Sequence, residues 1–365
     1  LNIGQPDIPT PPAFFDAVHS YRSEVLAYAP SPGVPAYVEA VQRYYQRVGA
    51  PLAEGDILAT SGGSEALQMA MSCILDEGDE ILIPEPFYTN YNTFVHVAGG
   101  RIRPIHSSPE EGYRYAERGR IEPLITERTR AILVTNPGNP TGTVLTPEEM
   151  NVIADIAKEH GLFLVADEVY REFVYGGEPL STFLTIPGLE ENLIVVDSVS
   201  KRFSACGARV GALISRNPEF IAQAMKLCQG RLCSATLDQL GAAALYSVDP
   251  DYFTATRDEY RRRRNACVEG LHKIPGVVCG EPKGAFYLMA KLPVDDADKF
   301  QTWLLEEFED QGETLMFAPG EGFYATPGKG RDEIRIAYVL NEADIRRSME
   351  LLGIAIARYQ KEKMA

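Results

Sequence analysis

Lys201 is the residue of this 365-residue chain whose surroundings first suggest chemistry. It ends the string Asp197-Ser198-Val199-Ser200-Lys201, directly after the apolar run Leu193–Val196, and Arg209 follows shortly before Gly211. A lysine just beyond the C-terminal end of a strand sits where open α/β sheets bind ligands. Alone, such a lysine is more often an ordinary surface residue. Ser198, Ser200 and Arg209 change its setting, because hydroxyls beside a bidentate guanidinium suit a phosphate dianion. Upstream, Thr60-Ser61-Gly62-Gly63-Ser64-Glu65-Ala66 offers a further anion contact. Glycines there let backbone N–H groups approach a phosphate at a helix N-terminus, where the helix dipole favours negative charge. The string lacks both the Gly-Lys-Ser/Thr ending of a P-loop and the full GxGxxG, so it does not support nucleotide binding.

Two more polar strings follow apolar runs. Thr129–Thr135 leads into Asn136-Pro137-Gly138-Asn139-Pro140-Thr141-Gly142, and Phe163–Ala166 leads into Asp167-Glu168-Val169-Tyr170. An acid after an apolar strand can simply cap a helix. Here a lysine, a phosphate pocket, an acid and an amide all fall at strand C-termini, and that combination points to a site.

The strands that must position these residues alternate with helices. Strands are predicted at Asp56–Thr60, Glu80–Pro84, Arg101–His106, Thr129–Thr135, Leu162–Ala166, Leu193–Asp197 and Val210–Ser215. Several are apolar on both faces, as in a sheet covered by helices on each side. Helical spacing marks Ser64–Asp76 and Pro147–His160, the latter opening with a Thr146 cap, proline at the first position and acids in the first turn. This alternation predicts an α/β domain with a mainly parallel sheet. A long polar helix is expected over Pro250–Ile274. Beyond it the pattern changes to strands Ala285–Ala290 and Glu333–Val339 with helices Asp298–Gln311 and Glu342–Lys363, which predicts a smaller α+β domain. The chain length also fits two domains at about 150 residues each.

Composition narrows the function classes. Apolar residues make up 45% of the chain and the formal net charge is −16. A field of that sign repels nucleic-acid phosphates and anionic lipid headgroups, so neither is an expected partner. The arginine run Arg261–Arg264 follows Asp258 and Glu259 and is read as a solvated or interdomain helix face. No apolar run approaches the about 18 residues of a membrane span. Six scattered cysteines without a CxxC pair predict reduced thiols in a cytoplasmic protein. Five histidines show no ligand spacing, so no metal is expected.

The string S-V-S-K-R-F-S-A-C-G-A-R-V-G closely resembles the pyridoxal-phosphate lysine motif of the class I/II aminotransferases. N-P-G-N-P-T-G and D-E-V-Y match two further motifs of that family. The resemblance extends from Leu1-Asn2-Ile3-Gly4-Gln5-Pro6-Asp7 to Arg335 and is closest to the aspartate-aminotransferase-like branch. It implies a fold-type-I large domain with a mainly parallel seven-stranded sheet. The implied organisation is an N-terminal arm (1–25) contributing to the small domain, a cofactor domain (26–255) and a small C-terminal domain (256–365).

The resemblance also implies roles. Lys201 would form a Schiff base with pyridoxal 5'-phosphate and then move the substrate α-proton. Asp167 would keep the pyridine nitrogen protonated, Asn139 and Tyr170 would bond the ring 3-oxygen, and Tyr88 would stack on the ring. Phosphate contacts fall to Gly63, Ser64, Ser198, Ser200 and Arg209, with Tyr28 reaching in from the partner of a homodimer. Arg335 would clamp the substrate α-carboxylate in a fork–fork pair, and Gly4 would close over the substrate. Arg231 is a candidate for the distal carboxylate of a dicarboxylate substrate, or else a surface or interface arginine. The implied activity is ping-pong transfer of an amino group, with aspartate preferred, to a 2-oxo acid such as 2-oxoglutarate. Alternatives are another donor (alanine, kynurenine or an aromatic amino acid, the last suggested by Phe323 and Tyr324), a carbon–sulfur lyase, or a ligand-binding regulator without turnover.

Overall fold

The computed structural model describes residues 1–175, 177 and 180–363. Its larger sheet has seven strands: β1 (Ile57–Thr60), β2 (Glu80–Pro84), β3 (Arg101–Ile105), β4 (Thr129–Thr135), β5 (Phe163–Asp167), β6 (Leu193–Ser198) and β7 (Gly211–Ile214). They lie in the order β1-β7-β6-β5-β4-β2-β3, and β7 is antiparallel to both of its neighbours while the other pairings are parallel.

Burial explains why the central strands read as continuous apolar runs. Every residue of β6 is buried, as are the last four of β5. Alternate side chains enter different cores. Leu164, Ala166 and Val195 pack with the helices Pro35–Arg47, Pro147–Glu159 and Thr236–Leu245. Val165, Ile194 and Val196 pack with Gly63–Ile74 and Pro218–Gly230 on the opposite face. The Pro147–Glu159 helix starts on the capping box its sequence announces. Glu149 N donates to Thr146 Oγ1 at 3.2 Å, and Thr146 N donates to Glu149 Oε2 at 2.8 Å.

A second, antiparallel sheet has the order β10-β11-β9-β8, from β8 (Val278–Cys279), β9 (Tyr287–Lys291), β10 (Ala318–Pro319) and β11 (Glu333–Ala337). Its own apolar core joins Phe286, Leu288, Ile334 and Ile336 to the helices Asp251–Leu271, Ala297–Glu306 and Glu342–Lys363. The first of these helices crosses position 256 without a break. The start of the chain lies beside β11, where Ala337 N donates to Leu1 O at 2.8 Å. The helix Ala13–His19 instead packs on Thr236–Leu245.

The helix expected over Asp298–Gln311 ends at Glu306, and β8 and β10 were not expected. Strands of two residues are too short for an alternation to register. Each arginine of the Arg261–Arg264 run is paired with an acid: Asp258, Glu259, Asp7 and Glu281 supply the partners. No described helix is long and apolar enough to cross a membrane.

Candidate active site

The C-terminal ends of β4, β5 and β6 open on one cavity of about 360 Å³. Parallel register places Thr135 opposite Asp167 and Asp167 opposite Val196, and Ser198 lies two residues further along β6. Strand geometry alone therefore gathers residues far apart in sequence. The helical turn Val199–Arg202 then carries Ser200 and Lys201 onto the cavity wall.

That turn is braced from behind. Ser198 Oγ caps it by accepting from Ser200 N at 3.1 Å and donates to Ser200 Oγ at 2.8 Å. Asp197 Oδ1 accepts from Ser198 N and from Arg202 Nη2, both at 2.7 Å, and the Arg202 guanidinium lies 4.0 Å from the Tyr44 ring centroid. Lys201 thus leaves the turn toward the cavity while Arg202 leaves it toward the core. Lys201 Nζ donates to the Gly4 carbonyl at 2.9 Å and lies 3.6 Å from Cys206 Sγ.

Glycine is required where the anion contacts meet. Gly62 has φ +79°, and a Cβ there would come within 2.4 Å of Arg209 Nη2. Arg209 donates to the Cys206 and Ser61 carbonyls at 3.0 and 3.4 Å, which holds its guanidinium over the start of the Gly63–Ile74 helix. Gly63, Ser64, Ser198, Ser200 and Arg209 all line the cavity. Gly4 is equally constrained, since a Cβ would fall 1.7 Å from the Tyr287 hydroxyl.

Asp167 is buried, and burial pushes its carboxyl up to about 6. Tyr91 OH opposes that shift by donating to Asp167 Oδ2 at 2.7 Å, while lying 2.6 Å from Thr135 Oγ1. Tyr88, half-buried, meets the Tyr91 ring edge-on at 5.5 Å. Asn139 joins two neighbours: its Nδ2 donates to Tyr170 OH at 3.5 Å and its Oδ1 accepts from Arg335 Nη1 at 3.2 Å. Arg335 Nη2 donates to Asn2 O at 2.7 Å, and the guanidinium lies 4.7 Å from the Tyr287 ring and 5.0 Å from that of Phe323. Its buried Nε has no hydrogen-bond partner among the described residues.

The cavity thus brings together Lys201, Asp167, Tyr170, Asn139, Tyr88, Gly63, Ser64, Ser198, Ser200, Arg209, Gly4 and Arg335. Two expected residues stand outside its lining. Tyr28 is 80% exposed. Arg231 ends the Pro218–Gly230 helix, where Nε lies 2.9 Å from Glu65 Oε1 and Nη2 donates to Ala59 O at 2.6 Å. Tyr324 turns away as well, its hydroxyl donating to Glu333 at 2.8 Å. Tyr91, Thr135, Cys206 and Tyr287 line the cavity without having been singled out from sequence. Tyr91 had a usable signal, three residues after Tyr88 at the start of the Asn90–Val97 helix. Tyr287 had none, because only the fold of the second sheet turns it onto Arg335.

The donor set fits pyridoxal phosphate. Hydroxyls, helix-terminal N–H groups and Arg209 suit its dianion. A buried carboxylate held by neutral donors suits a protonated ring nitrogen, and a lysine amine lines the same cavity. Arg335 brings a guanidinium whose Nε is unpartnered among the described residues, a group suited to a carboxylate.

Comparison with known proteins agrees with this geometry. The family described as "Aminotransferase class I and II" matches residues 1–352. An aspartate aminotransferase of Streptomyces avermitilis is 32% identical over 360 residues, covering 94% of this chain and 85% of that protein. A single mutant of Thermus thermophilus aspartate aminotransferase superposes with a TM-score of 0.88 at 29% identity, covering 97% of this chain and 91% of the other. An aromatic aminotransferase from Pyrococcus horikoshii gives 0.89 at 28% identity, covering 100% and 95%. With a cavity of this composition at its strand ends, the chain belongs to the class I and II aminotransferases and is a pyridoxal-phosphate-dependent transaminase.

Proposed function

We propose that this transaminase takes its amino group from L-aspartate and delivers it to a 2-oxo acid such as 2-oxoglutarate, with ping-pong kinetics. The observation that carries the site assignment is the convergence of Lys201, Asp167, Arg209 and Arg335 on one cavity. The names of the aspartate aminotransferase relatives support the choice of donor.

Bound pyridoxal phosphate supplies a carbonyl carbon open to amines and a conjugated ring that can accept the electron pair of a broken Cα–H bond. In this reading Gly63, Ser64, Ser198, Ser200 and Arg209 hold its phosphate. Asp167 holds a proton on the ring nitrogen, and the positive charge so placed draws the Asp167 carboxyl back down from its raised value. Asn139 and Tyr170 orient the ring through its 3-oxygen, with Tyr88 against its face. Lys201 Nζ holds the cofactor at rest and afterwards carries a proton to and from the substrate α-carbon. Arg335 grips the substrate α-carboxylate, and Gly4 leaves room for the N-terminal segment to lie over it.

We further propose an N-terminal arm over 1–25, a cofactor unit over 26–255 and a small unit over 256–365, supported by two sheets with separate cores. A homodimer is supported by the exposed apolar stretch Val25, Leu26 and Tyr28, with Tyr28 reaching the partner's phosphate site. Sedimentation as a monomer at working concentration would end that reading. Residence in the cytoplasm is supported by six free cysteines.

One observation favours a second donor class. Arg231 is engaged by Glu65, and the cations lining the cavity, Lys201, Arg209 and Arg335, already have duties. Tyr88 and Tyr287 would then favour an aromatic donor. A donor screen with 2-oxoglutarate decides: turnover of aspartate well above tyrosine and phenylalanine is expected, and the reverse order rejects aspartate. Pyruvate and ammonia as products would instead indicate a lyase.

A further inference from the structure

Glu85 ends a buried polar cluster that no step above uses. It follows β2 directly and precedes Pro86, Phe87 and Tyr88. Its side chain is fully buried, which costs several kcal/mol for a carboxylate unless donors surround it. They do. Oε1 accepts from Thr326 Oγ1 at 2.8 Å and lies 2.7 Å from His106 Nδ1. Oε2 accepts from Thr326 N at 3.1 Å and from Ala325 N at 3.2 Å. Lys329 Nζ, 3.7 Å away on the solvent side, offsets the charge.

These bonds tie the larger sheet to the segment 323–329, which precedes β11. A backbone bond adds to the tie, Phe87 N donating to Phe323 O at 2.9 Å. Phe323 and Tyr287 are the two rings against which the Arg335 guanidinium lies. A continuous path therefore runs from Glu85 through Ala325 and Thr326 to Phe323 and Arg335. No part of it reaches the phosphate contacts of Gly63, Ser64, Ser198 and Arg209.

We propose that Glu85 is a positioning residue for substrate binding: it fixes the 323–329 segment so that Phe323 holds Arg335 in line with the substrate carboxylate. This rests on the assignment of Arg335 as the carboxylate clamp. Oε2 faces two backbone N–H donors, while Oε1 faces the Thr326 hydroxyl, His106 Nδ1 and the more distant Lys329, so the position needs a buried acceptor. A glutamine can keep the Ala325 and Thr326 N–H bonds through its oxygen and donate to Thr326 Oγ1 and His106 Nδ1, so the substitution that removes the acceptors is Glu85→Leu, which releases part of the segment.

The test compares Glu85→Leu, Thr326→Val and Arg335→Lys in the cofactor-loaded protein. The KM of the amino donor and kcat are measured by turnover, and the Kd of pyridoxal phosphate by absorbance titration. For Glu85→Leu, KM rises about tenfold with the change entering through KM more than kcat, while the cofactor Kd stays within about twofold. Thr326→Val, which removes one donor and keeps the carboxylate, shows the same pattern at about threefold and answers the question should Glu85→Leu not fold. The proposal is overturned if Arg335→Lys raises KM and neither other variant does, or if cofactor Kd rises in step with KM. Should Arg335→Lys itself leave KM unmoved, the clamp assignment fails and the proposal with it.

Discussion

At the residue scale, the site works through opposed demands on single groups. Asp167 is buried to face a cation, so without that cation its charge is a cost. Its folded-state value of about 6 stands above the ordinary 3.8, so the protonated form is favoured by folding. The penalty is absent below the unfolded value, grows as pH rises, and is complete above about 6. Asp167→Asn is therefore expected to stabilise the cofactor-free protein by up to about 3 kcal/mol at pH 8 and to change little at pH 3, read by denaturant melts. The same variant loses transamination, so stability and activity move in opposite directions. Tyr91 acts on the same carboxylate from the Asn90–Val97 helix; Asp197 raises its pKa from β6, and Lys201 lowers it from the following turn. Removing the hydroxyl in Tyr91→Phe takes away a bond that favours the ionised form. The acidic limb of the kcat profile is expected to move to higher pH, with kcat down about tenfold; an unchanged profile would show the hydroxyl to be idle.

At the scale of elements, glycines and strand ends do the positioning. The Gly63–Ile74 helix begins where Arg209 crosses Gly62 so closely that a methyl group has no space. Gly62→Ala is expected to push the guanidinium aside and raise the Kd of pyridoxal phosphate at least about tenfold while leaving secondary structure intact by circular dichroism. This part of the molecule was legible in sequence. Lys201, Asp167 and Asn139 each follow an apolar run, and a run's end marks a strand's C-terminus whatever the order of strands. The register that sets Thr135 opposite Asp167 was not legible, because it depends on which strands become neighbours. Tyr287 escaped notice for the same reason. Its place beside Arg335 is decided by the pairing of Arg335 with Met289 across β9 and β11, which turns adjacent side chains to particular faces.

At the scale of the whole molecule, two sheets with separate cores meet around one cavity, and the chain's first residues lie across it. Lys201 from the larger sheet donates to Gly4, Arg335 from the smaller donates to Asn2, and Tyr170 and Tyr287 meet hydroxyl to hydroxyl at 3.0 Å. A substrate gripped from both sides would draw them together and exclude water. The net charge of −16 bears on none of this, since the few cations that matter are placed by local geometry. What sequence left open about specificity is not answered by this cavity: Arg231 and Tyr28 lie outside its lining, and they would reach a ligand only in the proposed homodimer. The central claim is that pyridoxal phosphate sits on Lys201 within this cavity. Borohydride reduction of the yellow, cofactor-loaded protein, followed by peptide mapping, tests it most directly. The expected result is a single cofactor-bearing peptide labelled at Lys201, with no label and no transamination in Lys201→Ala; label on another lysine, or undiminished transamination by Lys201→Ala, would contradict the account.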